Sequence, residues 1–346
     1  MSNINIDVPS LNLSRPMTGV GRYIHDISKI KNNNLNIVGF APNSNIKIDH
    51  FFEKVISSNF KTKLGKIFWV LFPLLKKDKS IIHYPQPLLS PFVFKKKHII
   101  TIHDVLFLTL KEHYSFISRI SLWLLTWIAV KKADTIICVS DFTKEELIRN
   151  FNPSSKIKVV YNPISKELIS NNNNIEHKYL LSVSNRTPRK NLQKTIDGFL
   201  KSKYRSNGYK LLLCGVNDGL IKLNLDESVI DMGYIEDIEL EKLYKNAEGL
   251  LFFSLGEGFG YPILEAAKYK TCVFASNNTS ISELFNYRSE LLCSDYKTDN
   301  GICNFLDKVY SSEKIRSEIQ KTLSNTLKKC SFEIFEEKMI NIYKSA

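Results

Sequence analysis

The chain alternates short, strand-like apolar runs with helix-length gaps, and it does so in two series. The first comprises Ile4–Val8, Asn36–Phe40, Ser80–Tyr84, His98–His103, Thr135–Val139 and Lys158–Tyr161. After Asn162 the pattern restarts with Tyr179–Val183, Lys210–Cys214, Val229–Met232, Gly249–Phe253 and Thr271–Ala275. Strands separated by helices build parallel sheets, whose strands are buried on both faces. The expected class is therefore α/β, with two doubly wound, Rossmann-like parallel-sheet domains. A length of 346 residues suits two domains, and Asn171–Asn174 is a polar break between the two series. From Ser311 onward the tail reads as helical, and Phe332, Phe335, Met339, Ile342 and Tyr343 supply its apolar face.

Composition excludes several classes. At 43% hydrophobic and 24% charged, the chain is of the ordinary soluble globular kind. The stretch Ile117–Val130 is interrupted by Ser118, Arg119, Ser121 and Thr126, and falls short of the ~20 apolar residues a membrane span requires. Met1 to Leu13 alternates apolar and polar residues, which reads as a first strand and not a signal peptide. Six cysteines without a CxxC pair or zinc spacing fit a reducing cytoplasm. Charge is lopsided: residues 1–165 hold 23 Lys+Arg against 11 Asp+Glu, a net +12 of the chain's +13. That half is expected to face something anionic. Within it, Lys61–Lys79 is a basic amphipathic segment interrupted by Pro73, which suits either an anionic membrane surface or packing on a sheet with basic flanks.

The most telling run is Leu250 to Ala267, LLFFSLGEGFGYPILEAA. It reads as a buried strand, a glycine-rich turn, and a helix opening near Tyr261 and Pro262. Gly256, Gly258 and Gly260 let backbone N–H groups turn toward a ligand, and the helix N-terminus favours an anion such as phosphate. Glu257 lies in the turn and Glu265 one helical turn in, so both carboxylates can face one crevice. Carboxylates beside a phosphate site are suited to gripping hydroxyls. Phosphate and hydroxyls together indicate a nucleotide sugar. This segment resembles the Glu-x7-Glu signature of retaining GT-B glycosyltransferases of family 4.

The resemblance implies a GT-B fold, with the two domains facing a central cleft. It implies an acceptor-binding domain over 1–165, a nucleotide-sugar domain over 166–330, and a helix over 331–346 crossing back to the first. It assigns Glu265 to the ribose and Glu257 to the donor sugar, with Gly258, Phe259, Gly260 and Tyr261 around the phosphates. Further pieces follow in order along nearly the whole chain. Arg186, Arg189 and Lys190 open a helix at a strand's C-terminal edge, where open sheets bind ligands; a basic loop before a helix is also common. The Pro-Arg-Lys-Asn element at 188–191 is similar to the family's pyrophosphate-binding motif, which places Lys190, with Arg189, on the diphosphate and Arg186 nearby. Gly19 and Gly21 match the family's first loop and would approach the donor phosphate. A dinucleotide site is the rival there, but GVGRYI lacks the third glycine. His103 ends an apolar strand, where histidines are commonly satisfied core residues. The resemblance instead gives it donor-sugar contact, with Asp104 and Tyr23 toward the acceptor. Ser140 matches a family position but also suits a helix cap.

No Asp-x-Asp motif or metal-ligand spacing is present in the sequence, so no metal and no further cofactor is expected. The expectation is a retaining glycosyltransferase in the cytoplasm or peripheral at the cytoplasmic face of the inner membrane. It would move mannose from GDP-mannose to a lipid-linked or growing polysaccharide. A rhamnosyl or UDP-linked donor is the alternative. A glycosidase using the paired glutamates and a basic nucleic-acid binder are the rivals from other classes, the latter lacking any binding motif.

Overall fold

The computed structural model describes residues 4–9, 18–41, 52, 54–57, 79–87, 97–164, 178–217 and 221–346. The Asn171–Asn174 break, and Lys61–Lys79 apart from its last residue, lie outside them. Two compact units divide the chain: Met1–Pro163 with Phe332–Ala346, and Ile164–Ser331.

The first unit is built on a parallel sheet of seven strands. These are β1 (Ile4–Pro9), β2 (Leu35–Ala41), β3 (Lys54–Ser57), β4 (Ile81–Tyr84), β5 (His98–Ile102), β6 (Thr135–Cys138) and β7 (Lys156–Val159). Their order is β3-β2-β1-β4-β5-β6-β7, so the chain reverses its direction of travel between β1 and β4. Every residue of β4, β5 and β6 is buried, which is why isoleucine dominates these strands, with His83, His98, Thr101 and Thr135 as buried polar exceptions. Helix α1 (Gly19–Ser28) follows β1, with the Thr18 hydroxyl accepting from the Gly21 N–H at 3.0 Å. Helix α2 (Phe116–Lys132) precedes β6, and α3 (Asp141–Phe151) follows it, capped by Ser140. Ile6, Val8, Tyr23, Ile24 and Ile27 pack with Phe335, Met339, Ile342 and Tyr343 of the final helix in one core.

The second unit has a five-stranded parallel sheet, β8 (Tyr179–Val183), β9 (Lys210–Cys214), β10 (Val229–Gly233), β11 (Gly249–Phe252) and β12 (Cys272–Ala275), ordered β10-β9-β8-β11-β12. Its switch point lies between β8 and β11. The α-helices longer than one turn are α4 (Leu192–Lys201), α5 (Asp237–Asn246), α6 (Tyr261–Lys268), α7 (Thr279–Leu284), α8 (Asp299–Tyr310) and α9 (Glu313–Lys329). The last helix of the chain, α10 (Phe332–Ser345), belongs to the first unit. Ligands of open α/β sheets bind beyond the strand C-termini at such switch points. The loops that leave β8 and β11 carry Arg186–Lys190 and Gly256–Gly260.

Candidate active site

In the second unit the two loops are joined by charge. Glu257 Oε1 accepts from Lys190 Nζ at 2.7 Å, and its Oε2 accepts from Arg189 Nη1 at 2.9 Å. Glu257 is 8% exposed. Burial alone would raise its pKa, but the Lys190 and Arg189 charges, with hydrogen bonds from Lys190 and Ser254, pull it down to about 2. It is therefore a fixed anion and a hydrogen-bond acceptor at neutral pH. Backbone bonds reinforce the joint: Leu255 N–H donates to the Arg189 carbonyl at 2.9 Å, and Arg189 Nη1 also donates to the Gly256 carbonyl. Asn191, in the left-handed region at φ 55°, donates from Nδ2 to the carbonyls of Phe253 (3.1 Å) and Tyr296 (2.8 Å).

The glycine loop is also held from its other side, by residues that motif reading missed. Thr279 Oγ1 accepts from the Glu257 N–H at 3.0 Å, and Ser280 Oγ donates to the carbonyls of Glu257 and Phe259 at 2.9 and 3.0 Å. Asn278 Nδ2 and Ser276 Oγ donate to the Ser254 carbonyl at 2.9 and 2.7 Å. The only trace of this clamp in the sequence is the polar run SNNTS directly after β12. Gly260, at φ 109°, turns the chain into α6, whose first turn contains Pro262. Phe259 is buried and meets Tyr261 edge-on at 5.4 Å. With Gly258 they line the entry to a helix N-terminus, whose dipole favours an anion. Glu265 is half-buried in α6, and its Oε2 accepts from the Tyr244 hydroxyl at 2.8 Å. The two glutamates thus have separate anchors, one cationic and one neutral.

Arg186 departs from the expectation of donor contact. Its side chain is 0% exposed, and Nη2 donates to Asp231 Oδ1 at 2.6 Å. Weaker bonds reach the carbonyls of Ser184 (3.3 Å) and Leu213 (3.4 Å). Gly215, at φ 137°, permits this, because a Cβ there would lie 2.0 Å from the Ser184 oxygen. Arg186 therefore stitches the β8 loop to β9 and β10, while Arg189 and Lys190 remain half-buried at the strand ends.

In the first unit, His103 Nε2 lies 2.8 Å from the Pro85 carbonyl, which can only accept, so Nε2 carries the proton. Burial lowers its pKa, against opposing effects of that carbonyl and Asp104. Tyr23 is fully buried, which removes it from the acceptor role: its hydroxyl lies 2.8 Å from Thr101 Oγ1, and its ring meets His103 edge-on at 5.0 Å. His83, another residue that the sequence did not flag, bonds Thr101 Oγ1 at 2.9 Å and the Tyr343 hydroxyl at 2.8 Å. Burial lowers its pKa to about 3. This buried string of polar side chains runs from α10 to the histidine at the end of β5. Asp104 Oδ1 accepts from the Leu106 N–H at 3.1 Å and shapes the local turn. Gly19 and Gly21 lie in the first turn of α1 rather than in a loop before it, and neither has a positive φ. Among the described residues no three His, Cys, Asp or Glu converge as metal ligands, and no helix is long and apolar enough to cross a membrane.

Comparison with known proteins agrees with this architecture. Residues 17–168 match Glycosyltransferase Family 4, and residues 165–326 match Glycosyl transferases group 1. The chain is 29% identical over 230 residues to the O-antigen chain mannosyltransferase RfbU of Salmonella typhimurium, covering 61% of this chain and 60% of that protein. Among solved structures, sucrose-phosphate synthase from Thermosynechococcus elongatus superposes with a TM-score of 0.77 at 14% identity, covering 99% of each chain. The Anabaena protein HepE, solved with UDP and glucose, gives 0.75 at 15% identity over 99% of this chain and 100% of its own. Two parallel-sheet units matched in sequence order by these families have one reading: the chain belongs to glycosyltransferase family 4 and has the GT-B fold.

Proposed function

We propose that this protein is a retaining, metal-independent glycosyltransferase that moves mannose from GDP-mannose to a hydroxyl of a lipid-linked or growing O-antigen-type polysaccharide. The observation that carries the reading is the Glu257–Lys190–Arg189 cluster at the switch point of the second sheet. Cations at that edge neutralise a departing diphosphate, and stabilising developing charge is commonly the largest catalytic effect. A carboxylate held ionised beside them accepts hydrogen bonds from sugar hydroxyls. In this reading Glu265, on the first turns of α6, accepts from the ribose. In the proposed reaction the acceptor oxygen bonds the anomeric carbon as the bond from that carbon to the phosphate oxygen breaks. The acceptor's proton passes to the departing phosphate. Mannose and the O-antigen acceptor rest on the likeness to RfbU; UDP-sugars and rhamnosyl donors are the competing substrates.

The glycosidase reading needs one carboxyl protonated near neutral pH to serve as general acid. Glu257, drawn down to about 2, is unsuited to that. The deciding experiment is a thermal-shift panel of GDP, UDP, dTDP and their sugar conjugates, with and without EDTA. A ligand that binds only the folded state raises its stability. Selective stabilisation by GDP and GDP-mannose, insensitive to EDTA and lost in Glu265→Ala, is expected. Preference for UDP-sugars would replace the donor, and no response to any nucleotide would remove the transferase reading.

A further inference from the structure

The outer face of α2 is a surface that the proposed chemistry does not use. Phe116 and Ile117 are 72% and 77% exposed, and Ile120, Trp123, Leu124 and Trp127 are exposed on the same face. At 100° per residue these six side chains fall within one stripe about 120° wide. Only Thr126, Ala129 and Val130 of α2 are buried against the unit beneath. Trp123 and Trp127 stack at 6.3 Å, presenting two indoles side by side. A contiguous stripe of exposed apolar side chains marks an interaction site.

We propose that this face docks on the surface of an anionic phospholipid bilayer. The charge of the helix points to that partner. Phe116–Lys132 contains no acidic residue, and Lys131 and Lys132 are exposed at its end. The adjacent groove, lined by Phe107, Leu108, Phe116, Ile120 and Trp123, holds the Arg119 side chain, whose Nε has no hydrogen-bond partner among the described residues. Of the flanking acids, Asp134 is paired with Lys97 at 3.6 Å, while the exposed Glu112 lies 3.5 Å from His113 Nε2 and gains an ion pair there only with a protonated imidazole. An apolar stripe with tryptophans and flanking cations matches the interfacial zone of a bilayer, with rings at headgroup depth and cations on lipid phosphates. A second copy is disfavoured, because it would set the +12 of residues 1–165 against itself. The helix lies on the membrane and does not cross it, since its 17 residues span only about 26 Å against a hydrocarbon core of about 30 Å. The surface is independent of the donor chemistry, so either proposal stands if the other fails.

The test is flotation of the full chain with phosphatidylcholine vesicles, with and without phosphatidylglycerol, repeated for Trp123→Ser/Trp127→Ser and Lys131→Glu/Lys132→Glu. Bromolipid quenching is read in a Trp69→Phe background, which leaves Trp123 and Trp127 as the fluorophores. Expected are salt-sensitive binding to the anionic vesicles, quenching of both indoles, and roughly a tenfold or greater loss of partitioning in the tryptophan variant. The lysine variant loses the preference for anionic lipid. Three results overturn the proposal: the wild type left unbound, binding unchanged in the tryptophan variant, or bound protein whose tryptophans are not quenched. Self-association that the tryptophan variant abolishes, without vesicle binding, assigns the face to a second copy and also overturns it.

Discussion

The Glu257 cluster predicts a pH dependence of stability whose size follows from the structure. The carboxyl's ordinary value of 4.5 falls to about 2 in the folded chain. At 1.36 kcal/mol per pH unit, folding favours the ionised form by about 3 kcal/mol. Because the folded value is the lower one, the unfolded chain binds the extra proton between those values. The contribution is therefore complete above about pH 5 and is lost as pH falls toward 2. Linkage leaves about 2 kcal/mol of it already gone at pH 3. Other carboxylates titrate in the same window, so the informative quantity is the difference between wild type and Glu257→Gln, which keeps the shape but cannot ionise. Urea unfolding, followed by pulse hydrogen exchange of the β8 and β11 peptides, isolates the second unit. We expect the variant to be less stable by about 3 kcal/mol at pH 7, with a gap that narrows by about 2 kcal/mol at pH 3. A gap independent of pH, or one that widens in acid, would refute the claim that Lys190 and Arg189 hold an ionised Glu257.

Three further predictions rest on other contacts. Lys190→Met leaves Arg189 as the cation on Glu257 and should weaken nucleoside-diphosphate binding by roughly tenfold to a hundredfold, one charge-assisted hydrogen bond; unchanged affinity by calorimetry would remove Lys190 from the diphosphate. Arg186→Met removes a buried guanidinium from Asp231, whose side chain is 24% exposed and still accepts from the Gly233 N–H at 3.0 Å, and should destabilise the second unit by about 1–3 kcal/mol, with partial recovery in Arg186→Met/Asp231→Asn. If that double variant folds yet binds nucleotide far more weakly, Arg186 touches the ligand after all. Met339→Ala empties a fully buried site between α10 and the first sheet and should cost about 2–5 kcal/mol in that unit's unfolding, leaving the nucleotide-dependent shift of the second unit intact. An unchanged transition would show that α10 contributes little to that core.

What could be read from the sequence was whatever is local. Strands buried on both faces, such as Gly249–Phe252 and Cys272–Ala275, announce themselves as continuous apolar runs. Strand β3 (Lys54–Ser57) does not, because four residues beginning with an exposed lysine at a sheet edge leave no run to see. The Glu-x7-Glu and Pro-Arg-Lys-Asn elements were legible because each is a turn with its own chemistry. Their meeting was not, since the contact spans 67 residues and depends on β8 and β11 being neighbours. The same limit explains Arg186 and Tyr23. An arginine after a strand looks like a ligand-binding cation until Asp231, 45 residues away, is brought against it. A tyrosine after a glycine turn looks accessible until α1 is seen to begin at Gly19, which turns Tyr23 onto the core.

Glu257 also bears on what the cluster recognises. Half-buried Lys190 and Arg189 without a counter-ion would be costly, and in the ligand-free chain Glu257 supplies the anion. A diphosphate arriving at the same cations competes with that carboxylate, so a nucleoside diphosphate alone gains one ion pair while displacing another. A nucleotide sugar compensates, because its hydroxyls offer donors to the displaced carboxylate. Discrimination for the intact donor over the spent diphosphate would then reside in Glu257. In Glu257→Gln the cations are released, and the hypothesis predicts tighter binding of the diphosphate with little or no gain for the nucleotide sugar. Calorimetric titration of both ligands into both proteins checks it. A parallel change in the two affinities would mean that Glu257 holds the loop and takes no part in selecting the donor.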